Sequence, residues 1–171
     1  MNDRHQNSTG GSEAINRFIE FFDKQGWSYH KVEDKPVIRT GFTGDNGQWQ
    51  CVAIAGPKDE HLMFLSLLPC QASRSRRKAT AELLTRINYG LNQGCFEMDL
   101  DDGEIRFRTT LSLASPEAPS ELVEHLVFSN LSIVDHFFAT IMQVLYAGTS
   151  PKAALKKKDP QISSEPRFQL N

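Results

Sequence analysis

The sequence predicts an α+β domain, and three observations predict it. Apolar residues recur at helical spacing near the start, give way to strand-length runs, and return to helical spacing at two later places. Two alternating runs meet at Asp102-Gly103, a dipeptide that favours hairpin turns. The chain has 171 residues, enough for one compact domain with polar tails.

The first helix follows Ser12, a candidate N-cap, with Ile15, Phe18, Ile19 and Phe22 along one face and Gly26 at its end. Strand candidates are Trp27–Glu33, Val37–Thr43, Gln48–Ala55 and His61–Leu68. Asp34-Lys35-Pro36, Gly44-Asp45-Asn46-Gly47 and Gly56-Pro57 separate them. The run HLMFLSLL is apolar on both faces, which predicts a central or doubly covered strand. A second helix spans Ser75 to Asn92, with Ala79, Leu83, Leu84, Ile87 and Leu91 as its stripe.

A two-residue turn at Asp102-Gly103 sets a hairpin register. Leu100 then faces Ile105 and Met98 faces Phe107, while Asp99 meets Arg106 and Glu97 meets Arg108. Apolar pairs meet apolar and acids meet bases, each pair contributing roughly 0.2–1 kcal/mol. After Pro116 and Pro119, a last helical region runs from Ser120 to about Ala147, either as one helix or as two divided near Ser129-Asn130, and Ser150-Pro151 starts a short turn through Leu155. Residues 1–11 and 156–171 are polar and too poor in apolar surface to offset their ordering entropy, so the folded domain is expected over 12–155.

Composition excludes several classes. Charges balance at 19 Lys+Arg against 21 Asp+Glu, so the chain lacks the basic surplus that nucleic-acid binding needs. No apolar run approaches the ~20 residues that span a bilayer, and MNDRHQNSTGGS has no hydrophobic segment of a secretory signal. Three widely spaced cysteines suit reduced thiols in the cytoplasm. The five histidines show no HExxH spacing, no cysteine pair has zinc-knuckle spacing, and phosphate-cradling glycine motifs are absent. No catalytic residue, metal or cofactor is therefore expected. Three weak leads stand beside that expectation: Cys70 near Arg74, Arg76 and Arg77 as a reactive thiol, His125 with His136 as a metal pair, and the acids Asp99, Asp101, Asp102 and Glu104 as a calcium loop.

Two surface features point to a partner. Arg74, Arg76, Arg77 and Lys78 cluster where the second helix starts, beside the positive end of its dipole, and an acidic peptide or other anion would relieve that repulsion. In the last helix Leu131, Val134, Phe138, Ile141 and Leu145 form a stripe that Ile133, Phe137, Met142, Val144 and Tyr146 widen beyond the usual arc of about 100°. That helix is either central or leaves an apolar strip, carrying Phe137, Phe138, Ile141 and Tyr146, for a partner or a second subunit.

The block INYGLNQGCFEMDLDDGEIRFRTTL, from Ile87 to Leu111, resembles the signature of the bacterial YbjN-like family. The upstream VIRTGFTGDNGQWQC and downstream HLVFSNLSIVDHFFATIMQVLYAGTSPKAAL fit the same pattern, so the resemblance covers Ser12 to Leu155. INYGL with the Trp-containing hairpin is most similar to cyanobacterial members. The resemblance implies an antiparallel sheet flanked by helices, as in the type III secretion chaperones, and a loose label of sensory-transduction regulator. It brings no site residues, and the basic helix start departs from its pattern. The function expected is a non-enzymatic, cytoplasmic protein-binding module, chaperone-like or regulatory, with a protein partner and no nucleic acid or membrane. The alternative is a small-molecule or ion sensor with a pocket between the sheet and the last helix near His125, Asp135 and His136. A homodimer through paired last helices is compatible with both.

Overall fold

The computed structural model describes residues 13–113 and 119–158. The candidate cap Ser12, both expected tails from residue 159 outward and up to residue 12, and Pro116 lie outside the described residues. Helix α1 spans Ile15–Gln25 and ends on Gly26. The strands are β1 (His30–Lys31), β2 (Val37–Thr43), β3 (Gln48–Ala55) and β4 (His61–Gln71). Helix α2 (Arg77–Tyr89), strands β5 (Cys95–Met98) and β6 (Glu104–Ser112), and helices α3 (Ser120–Tyr146) and α4 (Pro151–Lys158) complete the order. The six strands form one antiparallel sheet in the order β1-β2-β3-β4-β6-β5. Helix α2 carries the chain from β4 to the outer β5, and β6 returns between them.

The register sorts side chains onto two unlike faces. Thr40, Cys51, Ser66, Phe107 and Phe96 are successive cross-strand neighbours on one face, and Ile38, Ala53, Phe64 and Thr109 lie beside them. This face meets the helices: Phe18 of α1 packs on Phe64, Phe138 of α3 on Trp49, and Phe137 of α3 on Phe96. It forms one core with Leu83, Leu84 and Ile87 of α2 and with Val127, Val134 and Ile141 of α3. The long helix α3 is thus the central one, and it is a single helix through Ser129-Asn130. Asn130 there is fully buried and works as a node.

The Asn130 amide donates to the Phe64 carbonyl at 2.9 Å and to Thr109 Oγ1 at 3.1 Å, and its Oδ1 accepts from Ser66 Oγ at 2.6 Å. Ser66 Oγ in turn accepts from Trp49 Nε1 at 2.9 Å, and Thr109 Oγ1 donates to the Leu126 carbonyl at 3.1 Å. One chain of hydrogen bonds therefore ties α3 to β3, β4 and β6. A buried polar group costs free energy unless its partners are in place, so the helix has one depth and one rotation on the sheet.

Two sequence expectations need correction. The first strand is only His30–Lys31, since Trp27 joins the aromatic cluster of Phe21, Phe22, Phe42 and Phe128 instead. The β5–β6 hairpin is displaced by two residues from the expected register: Met98 faces Ile105, Phe96 faces Phe107 and Glu97 faces Arg106. A shift of two preserves which side chains share a face, so the complementary pattern survives. The turn is longer than a two-residue one, with the Gly103 amide bonded to the Asp99 carbonyl and positive φ at Gly103 (87°) but not at Asp102. Asp99 caps the Asp101 amide at 2.7 Å and Asp102 the Glu104 amide at 2.7 Å, which satisfies the wider loop and leaves Leu100 exposed. The Ala72 amide bonds the Gly103 carbonyl at 2.8 Å, and a Cβ on Gly103 would run into the Ala72 carbonyl.

Asn130→Leu removes the node while keeping the volume, and leaves Ser66 and Trp49 without their full set of partners. We expect a loss of about 2–4 kcal/mol in urea unfolding, against less than about 0.5 kcal/mol for Ser132→Ala on the exposed side of the same helix.

Candidate functional site

The four basic residues at the start of α2 divide into two kinds. Arg76 reaches the far end of α3, where its guanidinium donates to the carbonyls of Val144 (2.9 Å from Nε) and Thr149 (3.3 Å). Val144 lies in the last turn of α3, whose carbonyls have no intrahelical partner and form the negative end of the dipole. Arg77 donates to the Ala72 carbonyl at 3.2 Å and the Leu100 carbonyl at 2.9 Å, tying α2 to the hairpin turn. These two cations are structural. Arg74 and Lys78 are exposed.

The expected strip on α3 is mostly interior. Phe137 and Ile141 are buried in the core. Phe138 stacks on Trp49 at 5.8 Å and closes over the β2–β3 turn, where side chains on Gly44 or Gly47 would strike Asp135 or Phe138. Asp135 itself accepts from the Asn46 amide at 2.8 Å and Asn46 Nδ2 at 3.0 Å, so it clamps that turn to the helix. Only Tyr146 of the strip is exposed.

The leads for metal and redox chemistry do not converge. The unbroken α3 sets His125 and His136 about 16 Å apart along its axis, beyond the reach of one ion, and both are exposed. Asp99 and Asp102 of the β5–β6 turn are engaged as backbone caps, and no group of three metal-ligating side chains occurs among the described residues. Burial pushes the Cys70 thiol up to about 11, the reverse of activation, and that of Cys51 to about 12. Between the sheet and α3, where the alternative sensor reading placed a pocket, Trp49, Ser66, Asn130 and their apolar neighbours are buried.

The other face of the sheet is also apolar. Val37, Val52, Ile54, Met63, Leu65 and Leu67 lie there on β2, β3 and β4, and none belongs to the core beneath the helices. Their rim is polar: Arg39, Gln48, Gln50, Arg106, Arg108 and Thr110 alternate with the core-facing residues of the same strands. Glu97 holds two of these cations, with Arg106 Nε at 2.8 Å and Arg108 Nε at 2.8 Å. Burial alone would raise the Glu97 pKa, but the hydrogen bonds from Arg108 and Arg106 outweigh it and hold the carboxyl below the usual range. The sequence signal for this face was the two-sided apolar pattern of β4, read there as an alternative between a central and a doubly covered strand.

The edges of the sheet are guarded. Strand β1 has two residues. At β5, Asn88 of α2 accepts from the Phe96 amide at 2.8 Å and donates to the Phe96 carbonyl at 2.9 Å, taking the positions an added strand would use.

With this architecture in view, the comparison with known families is decisive. The model of the YbjN family, described as "Putative bacterial sensory transduction regulator", matches residues 14–143. The chain belongs to the YbjN family. Among solved structures it is similar to YbjN from E. coli, titled "a putative transcription regulator", at a TM-score of 0.54 and 12% identity over 78% of this chain and 89% of that one. It also resembles a chain of the ExsC–ExsE complex, at a TM-score of 0.48 and 13% identity over 74% of this chain and 92% of that one. No curated protein sequence matches it. The likeness to E. coli YbjN shows a shared fold, an α+β domain with an antiparallel sheet.

Two outcomes check the roles assigned to charges in this YbjN-family chain. Arg76→Met should cost about 1–3 kcal/mol in chemical denaturation, whereas Arg74→Met should stay within about 0.5 kcal/mol. Because the folded-state pKa of Glu97 is depressed, its stabilisation is present above the unfolded value and is lost as pH falls through the folded one. The stability difference between wild type and Glu97→Gln should be at most about 1 kcal/mol near pH 6 and should shrink towards zero below about pH 4.

Proposed function

We infer that the chain is a non-enzymatic regulatory or chaperone-like module of the cytoplasm that binds a segment of a partner protein on the open face of its sheet. One observation carries this reading: six apolar side chains from β2, β3 and β4 form a stripe outside the core, on a face no described helix covers. Leu65 is buried and Val37, Val52, Ile54, Met63 and Leu67 are half-buried; the apolar area that these five leave in water forgoes roughly 25 cal/mol per Å², a cost that a docked partner recovers. The guarded edges favour docking across the face over strand addition. The family's description as a sensory transduction regulator fits a protein that acts by contact. Burial holds the Cys51 and Cys70 thiols protonated, which suits structural rather than nucleophilic roles for these two side chains.

Ile54→Arg places a charge in the middle of the stripe without touching the core. In pull-downs from lysate of the native organism, wild type should retain a saturable protein partner, and Ile54→Arg should lose it by about tenfold or more with an unchanged circular dichroism spectrum. Equal retention by both proteins, or no saturable partner for wild type, would contradict the reading.

A further inference from the structure

Arg76 stitches two basic segments together. Its bonds to the Val144 and Thr149 carbonyls hold the start of α2 against the α3–α4 junction, and α4 packs on both α2 and α3. Helix α4 buries Pro151 and Ala154 and sets Leu155 against the core. Its remaining side leaves Lys152, Lys156 and Lys157 exposed, while the start of α2 leaves Arg74 and Lys78 exposed. Five exposed cations thus lie on two segments that Arg76 and the packing of α4 on α2 bring together into one corner of the fold, and none forms an ion pair among the described residues. Of the carboxylates on these segments, Glu82 is held by Arg86 at 2.8 Å. The β5–β6 turn, joined to α2 through Arg77, contributes Asp99 and Asp102, both engaged with backbone amides, and the exposed Asp101.

We propose that the corner formed by Arg74, Lys78, Lys152, Lys156 and Lys157 binds an acidic segment of a partner protein. The cations repel one another, and a run of carboxylates relieves that repulsion and steers encounter. The chemistry of the occupant follows from what surrounds the corner. A duplex needs a long basic track, but α4 is about 12 Å long, and the opposite end of the helical layer carries Glu20, Asp23, Glu121 and Glu124. A membrane surface needs an apolar face beside the cations, and the apolar side of α4 is already packed in the core. A short acidic peptide meets neither obstacle.

This rests on the protein-binding reading above, but the corner lies on the helical side of the sheet, so the two sites fail separately. The probes for the full chain are a fluorescein-labelled glutamate-rich peptide, a short duplex DNA and phosphatidylserine vesicles. The peptide should bind saturably and weaken with salt. The triple variant Lys78→Gln, Lys152→Gln, Lys156→Gln should bind it about tenfold more weakly with an unchanged circular dichroism spectrum. The corresponding triple Lys→Arg variant should retain binding, and so should Ile54→Arg. Absence of saturable peptide binding, equal binding by the glutamine variant, or tighter binding of the DNA or the vesicles would overturn the proposal. Loss of peptide binding in Ile54→Arg would also overturn it, by placing the peptide on the sheet face.

Discussion

A polar amide sits at the centre of the most apolar helix, and the rest of the architecture is arranged around it. Asn130 has no exposure to water, so its hydrogen bonds must come from the protein. They come from Phe64 and Ser66 on β4 and Thr109 on β6, and Trp49 on β3 reaches the network through Ser66. Sliding α3 by one turn would break all of these contacts, a penalty of several kcal/mol that apolar packing alone does not impose. The amide therefore selects one placement among the many that an apolar stripe this broad could adopt. With α3 seated, α1 and α2 pack on the same sheet face, and among the described residues no helix covers the other.

The same logic recurs at smaller scale wherever distant segments meet. Asp135 receives the β2–β3 turn, Asn88 receives the edge of β5, and Arg76 receives the end of α3. In each case a polar side chain satisfies backbone groups that strand or helix geometry leaves unpaired. Glycines at 44 and 103 let the turns approach their receivers. Side chains that look like site chemistry in the sequence are thus absorbed into the fold.

What was legible in the sequence follows from how local the causes are. Strands β2 and β3 fall where alternation and Gly-containing turns put them, Val37–Thr43 and Gln48–Ala55. The complementary faces of β5 and β6 were visible too, because parity depends only on alternation. The two-residue shift was not, because it depends on Asp99 and Asp102 capping a wider turn and on Ala72 docking it. The fate of the arginines was hidden for the same reason. Arg76 finds its acceptor 68 residues away, on a carbonyl that has no signature in the sequence. Asn130 suggested a helix break because asparagine is a poor helix former, and only the sheet beneath it supplies the partners that reverse that preference.

Among the described residues, helices cover one face of the sheet alone. On the proposed function the half-buried stripe of Val37, Val52, Ile54, Met63 and Leu67 on the other face is the docking surface of this YbjN-family chain. The most direct measurement is methyl paramagnetic relaxation enhancement by a soluble nitroxide on the free, full-length chain. The account predicts strong enhancement at Val52, Ile54 and Leu67 and little at Ile38, Ile105 and Ile141. Protection of Val52, Ile54 and Leu67 equal to that of the three core isoleucines would contradict it.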